Sequence, residues 1–299
     1  MASEPTAVRV ASRGRPAAAG LLVAMRPRQW LKNLLLFAGL VFAAELGDGS
    51  RWLRALAAFA IYCAASSAAY LVNDVRDAEA DRAHPTKRFR PVASRELSPR
   101  NALAAAATLG AVAILGAAAL GRDSLLLLLA FLVLQLLYST WLKHVVLADV
   151  LAIASLFVIR AAAGAVAIDV TVSGWLLVCT GLLALFLALN KRRGELAEGG
   201  DGSSRRVLRR YDVRLLDHLV LGVGAATLLV YAAYTVTGTR PPLFPLTVVP
   251  VAFGLGRYVF LVRRRAAGEE PEKVLVGDPP ILLATLAWTV LAAALLAAA

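Results

Sequence analysis

Carboxylates recur at helical spacing where a long apolar run ends. Asn73, Asp77 and Asp81 lie four residues apart in the stretch NDVRDAEAD, and Asp74 lies three residues before Asp77. On a continuing helix these four side chains share one face. Carboxylates so close repel one another unless a cation lies between them. Magnesium is held by one or two carboxylates together with water and substrate phosphates, so the stretch predicts a Mg²⁺ site with Asn73, Asp77 and Asp81 as ligands.

A structural role for the same acids stays open at this point. The next nineteen residues read RAHPTKRFRPVASRELSPR and are strongly basic. Arg76, Arg82 and Arg88 are near enough in sequence to pair with the carboxylates. In that case the acids would stabilise a loop and bind no metal.

Two further places carry polar side chains that could do chemistry. Tyr138 and Lys143 lie five residues apart in YSTWLKH, although such residues are also common anchors at a membrane interface. Arg160 lies inside the apolar segment LAIASLFVIRAAAGAVAI, where a charge costs roughly 2.5 to 3.5 kcal/mol on insertion scales. It is therefore a functional candidate, and a structural pair with Asp149 is the alternative.

These residues lie among apolar segments long enough to cross a membrane. The chain has 299 residues, of which 59% are hydrophobic, and its charges are concentrated between the apolar segments. We predict an all-α polytopic membrane protein with nine transmembrane helices. The predicted spans are residues 29–46, 52–73, 101–120, 123–142, 145–168, 172–190, 215–238, 243–262 and 280–298.

The basic residues predict the orientation of these spans. Of the 32 Lys and Arg residues, 27 lie in the N-terminal segment and in alternate loops, 4 in the opposite loops and 1 within a span. By the positive-inside rule, the N-terminus and the loops with the candidate residues are cytoplasmic, and nine spans place the C-terminus outside the cell membrane. The rule also explains the net charge of +12 without a nucleic-acid partner.

No linker separates a soluble domain from the spans. We predict a basic cytosolic tail over residues 1–28 and a single membrane catalytic domain over residues 29–299. The loop after the sixth span begins NKRRGELAEGGD, so Lys191 and Arg192 stand where the first long loop has acids. The first loop suits a cation, whereas the second suits an anion such as phosphate.

The order of these patterns resembles that of the UbiA superfamily of intramembrane prenyltransferases. NDVRDAEAD resembles the NDxxDxxxD motif of the superfamily, and YSTWLK resembles its Tyr and Lys motif. The resemblance covers nearly the whole chain. It implies nine helices around a central cavity open to lipid, with cytosolic cap loops that bind a diphosphate through magnesium.

One departure from the superfamily pattern narrows the resemblance. Aromatic prenyltransferases of the superfamily carry a second aspartate-rich motif where this chain reads NKRRGELAEGGD. Together with RPRQWLKN, DVLAIASLFVIRAAAGA and PEKVLVGDPP, this departure is similar to the decaprenyl-phosphate phosphoribosyltransferase branch. That resemblance implies transfer of phosphoribose from 5-phosphoribosyl 1-diphosphate to a polyprenyl phosphate lipid, with release of diphosphate, toward the arabinose donor of cell-wall arabinan.

The resemblance and the charges together give each candidate an expected role. Asp74, Asp77 and Asp81 are expected at the catalytic centre. The expected substrate-binding residues are Asn73, Tyr138, Lys143, Lys191, Arg192, Arg28, Lys32 and Arg160. Lys191 and Arg192 are assigned to substrate phosphates, and Arg28 and Lys32 to the lipid phosphate. A homo-oligomer is left open.

Two other functions compete with this interpretation. A prenyltransferase that moves a polyprenyl group from its diphosphate to an aromatic acceptor predicts an acidic second loop, which this sequence lacks. A transporter with a cytosolic ion site predicts broken helices and ionisable groups near the middle of the membrane. Only Arg160 fits the second alternative.

Overall fold

The computed structural model describes residues 17–43, 45–197, 212–237, 240–265, 274 and 277–298, which are mostly helical and contain no strand. The α-helices are α1 (Ala17–Ala24), α2 (Ala38–Phe42), α3 (Gly49–Arg76), α4 (Ala78–Ala83), α5 (Pro99–Leu120), α6 (Arg122–Thr140), α7 (Ala148–Ala167), α8 (Gly174–Ala197), α9 (Val213–Val236), α10 (Val248–Arg265) and α11 (Pro279–Ala297). The 3₁₀ helices are Pro27–Phe37, Lys87–Phe89, Leu142–His144 and Phe244–Thr247.

The all-α membrane architecture predicted from the sequence is confirmed. Eight helices within the described ranges are long and apolar enough to cross a membrane, and they correspond to the second to ninth predicted spans. The first predicted span, residues 29–46, differs because the 3₁₀ helix Pro27–Phe37 and the short helix α2 form most of it. The count of nine crossings therefore stays a prediction.

Short polar residues begin the helices that matter for the site. The carboxylate of Asp48 accepts hydrogen bonds from the backbone N–H groups of Ser50 and Arg51 and so caps α3. Ser98 caps α5 in the same way, and Pro99 follows at the first helical position, where a missing N–H costs nothing.

The helices α3 and α7 form the centre of the bundle, because more than half of the residues in the most apolar stretch of each helix are buried. Arg54, near the start of α3, donates to the carbonyl of Ala167 at the end of α7 at 2.5 Å, and to that of Leu120 at the end of α5 at 3.3 Å. Both carbonyls lack helical partners, so one guanidinium joins three helix ends. The opposite ends of α3, α5 and α7 consequently meet on the other side, where the candidate residues lie.

The 3₁₀ helix Pro27–Phe37 and α2 pack closely against α7. A Cβ atom added at Gly164 would lie only 2.1 Å from the carbonyl oxygen of Leu36, and one at Gly39 would lie 3.1 Å from the Cα of Ala165. The close approach at Gly164 leaves no room for a side chain. It also brings Asn33 of the 3₁₀ helix beside Arg160 of α7.

Some predictions fall outside the described residues. They concern most of the tail 1–28, the second loop over residues 198–211, half of PEKVLVGDPP, and the C-terminal Ala299. The residue assignments of the candidate site all lie within the described ranges.

Candidate active site

A buried acidic pair surrounds one arginine at the end of α3. Nη1 of Arg90 lies 2.7 Å from a carboxylate oxygen of Asp81 and 3.4 Å from one of Asp74. Nη2 of Arg26 contacts the same oxygen of Asp74 at 2.5 Å. Both carboxylates are buried, and both arginines are half-buried. The carboxylates of Asp74 and Asp81 therefore share Arg90, and Asp74 is also paired with Arg26.

Asp77 contacts other partners than that pair does, although the backbone N–H of Asp77 still donates to Asn73 and that of Asp81 to Asp77, as on a continuing helix. The helix pauses at Asp77, which ends α3 and precedes α4. Its carboxylate accepts a hydrogen bond from the amide of Asn73 at 3.1 Å and lies 3.7 Å from Nζ of Lys143. Lys143, which the sequence assigned to substrate binding, thus lies beside the acidic motif. The pairing of the acids with Arg76, Arg82 or Arg88 is not observed: Arg76 donates to the carbonyl of Ser139 and Arg82 to that of Ala93.

The donor set suits magnesium with few protein ligands. Among the described residues, no three His, Cys, Asp or Glu side chains converge on one point. Magnesium does not require such a cluster, because water and substrate phosphates complete its coordination. Asp74 and Asp81 already flank a cationic nitrogen, and Asp77 lies between an amide and an ammonium group. These carboxylates fit a divalent cation. Asp74 joins Asp77 and Asp81 as a candidate metal ligand, although the sequence predicted Asn73 in its place, and the amide of Asn73 donates to Asp77.

A second ion cluster is buried where α6, α7 and α8 meet. Nε of Arg192 lies 2.6 Å from a carboxylate oxygen of Asp149, and both side chains are fully buried. The same guanidinium pairs with Glu195 and lies 3.4 Å from the hydroxyl of Tyr138. In the structure the side chain of Arg192 thus points into the protein, whereas the sequence predicted that it binds a substrate phosphate. Buried charges require partners, and two carboxylates supply them here.

Arg160 is also bound within the protein. Its Nε donates to the amide oxygen of Asn33 at 2.7 Å, and its Nη1 to the carbonyl of Leu156 at 2.9 Å. The guanidinium lies over the ring of Phe131, 4.6 Å from its centroid. The alternative pair with Asp149 is wrong, because Asp149 contacts Arg192. Arg160 fixes the 3₁₀ helix to α7 in this structure.

The remaining predicted phosphate ligands are divided between two elements. Arg28 is exposed and Lys32 is half-buried on the 3₁₀ helix Pro27–Phe37, and Lys191 is half-buried near the end of α8. Their roles as substrate ligands stay predictions.

Sequence reasoning overlooked four residues of these clusters as site residues. Arg26 and Arg90 were counted only as basic residues, and the interpretation gave no role to Glu195 and only a structural one to Asp149. Asp149 carried a readable signal, because a lone carboxylate at the start of an apolar span needs a cationic partner. Arg26 has a left-handed backbone, with φ of 55° just before Pro27, and no sequence pattern announces this conformation.

The site as a whole combines three carboxylates with three cations at one end of the bundle. Asp74, Asp77 and Asp81 can hold a divalent metal. Arg26, Arg90 and Lys143 lie within 4 Å of those carboxylates and can bind phosphate oxygens once a metal takes up the acids. This arrangement suits a diphosphate that reaches the membrane surface.

Comparison with known proteins agrees with this geometry. Residues 32–277 match the model of the UbiA prenyltransferase family. The chain is 36% identical over 280 residues to decaprenyl-phosphate phosphoribosyltransferase of Mycobacterium tuberculosis, with 90% of this chain and 92% of the relative covered. It is 34% identical to the Corynebacterium glutamicum enzyme of the same name, with 90% and 84% covered.

Solved structures support the fold. A UbiA homologue from Archaeoglobus fulgidus bound to GPP and Mg²⁺ superposes with a TM-score of 0.71 at 18% identity, with 94% of this chain and 100% of that chain covered. At this identity the similarity establishes the architecture alone.

Proposed function

Because the chain belongs to the UbiA prenyltransferase family, we propose that it transfers phosphoribose from 5-phosphoribosyl 1-diphosphate to a polyprenyl phosphate such as decaprenyl phosphate. One observation carries the proposal: the similarity to enzymes named for this reaction extends over nine-tenths of the chain and over most of each relative. The buried ion cluster at Arg192 adds to it, since the carboxylates of Asp149 and Glu195 pair with that arginine.

The acids at the end of α3 are proposed to hold the donor through magnesium. Asp74, Asp77 and Asp81 would supply the protein ligands. A bound Mg²⁺ would neutralise charge that develops on the leaving diphosphate. Lys143 and Arg90 adjoin these acids and would contact the diphosphate oxygens directly.

The acceptor needs no general base in this reaction. A lipid phosphate is already an anion, so one of its oxygens forms a bond to C1 of the ribose while the bond from C1 to the diphosphate oxygen breaks. The diphosphate leaves with the electron pair. The chain's contribution is to orient the two anions and to offset their repulsion with cations. We assign the 5-phosphate of the donor to Lys191, near the end of α8.

The test uses the protein in membranes. We expect incubation with labelled 5-phosphoribosyl 1-diphosphate, decaprenyl phosphate and Mg²⁺ to yield a labelled lipid, and chelation with EDTA to abolish it. The same membranes should not join a prenyl diphosphate to an aromatic acid. Prenyl transfer without phosphoribosyl transfer would overturn the proposal in favour of the aromatic prenyltransferase.

A further inference from the structure

An apolar groove of about 410 Å³ runs along the outside of the bundle between α3, α5 and α6. Small side chains form its floor, namely Ala68 and Ala69 of α3 and Ala106 and Ala107 of α5. Leucines and a valine form its walls: Val72, Leu103, Leu132 and Leu136. Several wall residues are exposed on the bundle surface, including Leu136 at 57%. The groove is therefore open along its length to surrounding lipid.

One end of this groove is polar and adjoins the candidate active site. Asn73, Arg76 and Ser139 line that end, and Gln135, one helical turn before Ser139 on α6, is the remaining polar residue of the lining. Asn73 also donates to the carboxylate of Asp77, and the guanidinium of Arg76 donates to the carbonyl of Ser139 at 3.0 Å. Arg76 is exposed, so its other donors can reach a ligand. The groove thus leads from the exposed cation of Arg76 and from Asn73, which contacts Asp77, into the apolar part of the bundle.

We propose that this groove seats the first part of the polyprenyl chain of the acceptor and that Arg76 contacts its phosphate. The proposal rests on the proposed function, which requires a lipid whose anionic head reaches Asp77 while its chain stays in the membrane. The groove has the matching polarity, with a cation and an amide at one end and an apolar channel beyond. Its alanine floor leaves space for the methyl branches of a polyprenyl chain.

The position of the groove distinguishes this occupant from an ordinary membrane lipid. A phospholipid would cover any exposed apolar face, including the parts of α6 beside the groove. A polyprenyl phosphate is drawn to this face in particular, because Arg76 and the active-site cations complement its phosphate there. Competition between the two lipid types is therefore the decisive observation.

The first experiment locates the lipid without measuring activity. A photoreactive p-benzoylphenylalanine is placed at Leu136, which lines the groove, or at Val133, which does not and is 56% exposed on the same helix. The protein is illuminated in phosphatidylglycerol vesicles containing decaprenyl phosphate, and mass spectrometry identifies the attached lipid. We expect decaprenyl phosphate at Leu136 and phosphatidylglycerol at Val133. The same mixture of lipids at both positions would overturn the proposal.

The second experiment uses kinetics and separates this proposal from the proposed function. Ala106→Trp fills the groove floor, and Ala104→Trp places the same bulk on an exposed part of α5 that does not line the groove. We expect Ala106→Trp and Arg76→Gln to raise KM for decaprenyl phosphate roughly tenfold or more, with KM for the donor unchanged. Ala104→Trp should change neither.

The outcomes of the two experiments are distinct. No phosphoribosyl transfer by the unmodified protein would remove the proposed function, whatever the groove variants do. Transfer with unchanged acceptor KM in both Ala106→Trp and Arg76→Gln would remove the groove assignment alone. If Ala106→Trp fails to fold, the Arg76→Gln kinetics and the crosslinking still decide.

Discussion

Asp74 and Asp81 share one cationic nitrogen, whereas Asp77 contacts an amide and a lysine. Without such cations, three carboxylates at the end of one helix would repel one another. Arg90 therefore performs in this structure what a divalent metal would perform in a loaded site. Metal binding would release Arg90 from the acids, so that its guanidinium could bind a phosphate of the donor. Binding of the metal and binding of the donor would then depend on the same side chain.

The carboxylates should be essential for turnover, and their neighbour Glu79 should not be. We expect Asp77→Asn and Asp81→Asn each to lower turnover by more than about tenfold, since a carboxamide is a poorer ligand for magnesium. Glu79 is exposed on α4 in the same motif, so Glu79→Gln should stay within about twofold of wild type. Turnover in membranes at matched protein level measures both. A variant at Asp77 or Asp81 with more than about a tenth of wild-type turnover would exclude that carboxylate as an essential ligand.

Arg192 and Lys191 are neighbours in sequence but should fail in different ways. Arg192→Ala leaves the carboxylates of Asp149 and Glu195 without their cation, and breaking a buried ion pair costs about 3 to 5 kcal/mol. Lys191→Ala should leave stability nearly unchanged and raise KM for the donor roughly ten- to a hundredfold, as loss of a charged phosphate contact does.

Thermal unfolding in detergent and donor kinetics for both variants separate these roles. A stable Arg192→Ala protein with only a raised donor KM would mean that Arg192 binds phosphate and that its buried cluster opens during the reaction.

At the scale of elements, the 3₁₀ helix Pro27–Phe37 is unusual because such helices rarely exceed four residues. At about 2.0 Å per residue its eleven residues extend over ~22 Å, and α2 adds ~7 Å, which together approach the ~30 Å of a bilayer core. A segment too short to cross as an α-helix is thus long enough in this form. Its contacts with Gly164 and Arg160 of α7 stabilise it.

The close contact at Gly164 gives a prediction for this element. In Gly164→Ala the new Cβ would overlap the carbonyl of Leu36, so we expect a loss of about 1 to 3 kcal/mol or more in stability. Gly110, inside α5, has nothing within 4 Å of its added Cβ, so Gly110→Ala should be neutral or stabilising by up to about 1 kcal/mol. Unfolding of both proteins in the same detergent measures the difference. Equal stability would show that the 3₁₀ helix can move away from α7 at little cost.

The limits of sequence reasoning are clearest at this scale. Hydropathy and length predicted α3 and α5 to α11 as membrane helices, because an apolar run of about twenty residues has few alternatives in a bilayer. The spacing of Asn73, Asp77 and Asp81 predicted a cluster of carboxylates. It could not predict that the helix pauses at Asp77 or that Arg90 returns from a loop to Asp81, since both depend on tertiary contacts.

Across the whole molecule, the two ends of the helical bundle carry different charged groups. The two ion clusters, at Asp74 and at Arg192, lie where α3, α6 and α8 end and where α7 begins. The opposite end carries Arg54, which binds helix carbonyls. The proposed donor is soluble and the proposed acceptor is a lipid, so a site at the membrane surface gives each substrate access from its own phase. This division requires that the charged end faces the cytosol, where the positive-inside rule places it.

The side of the C-terminus tests this orientation, and its comparison with the side of the N-terminus tests the crossing formed by residues 27–42. If that segment crosses, nine crossings put Ala299 outside, whereas eight crossings alone would put it on the side of the N-terminus. We expect alkaline phosphatase fused after Ala299 to be active and a fluorescent protein fused there to be dark. The same reporters inserted in the second loop, between residues 198 and 211, should give the opposite pattern if that loop is cytoplasmic. Opposite signals at the two positions would show that α9, α10 and α11 all cross, because an odd number of spans then separates them, and they would fix the side of the carboxylates. A cytosolic signal at Ala299 with an outside signal in the loop would invert the molecule and place the carboxylates outside the cell. Cytosolic signals at both positions would mean that one of the last three helices does not cross.

To test the first segment itself, a reporter before residue 17 is compared with the loop between α2 and α3. Opposite signals there show a crossing, and equal signals show that residues 27–42 enter and leave on one side.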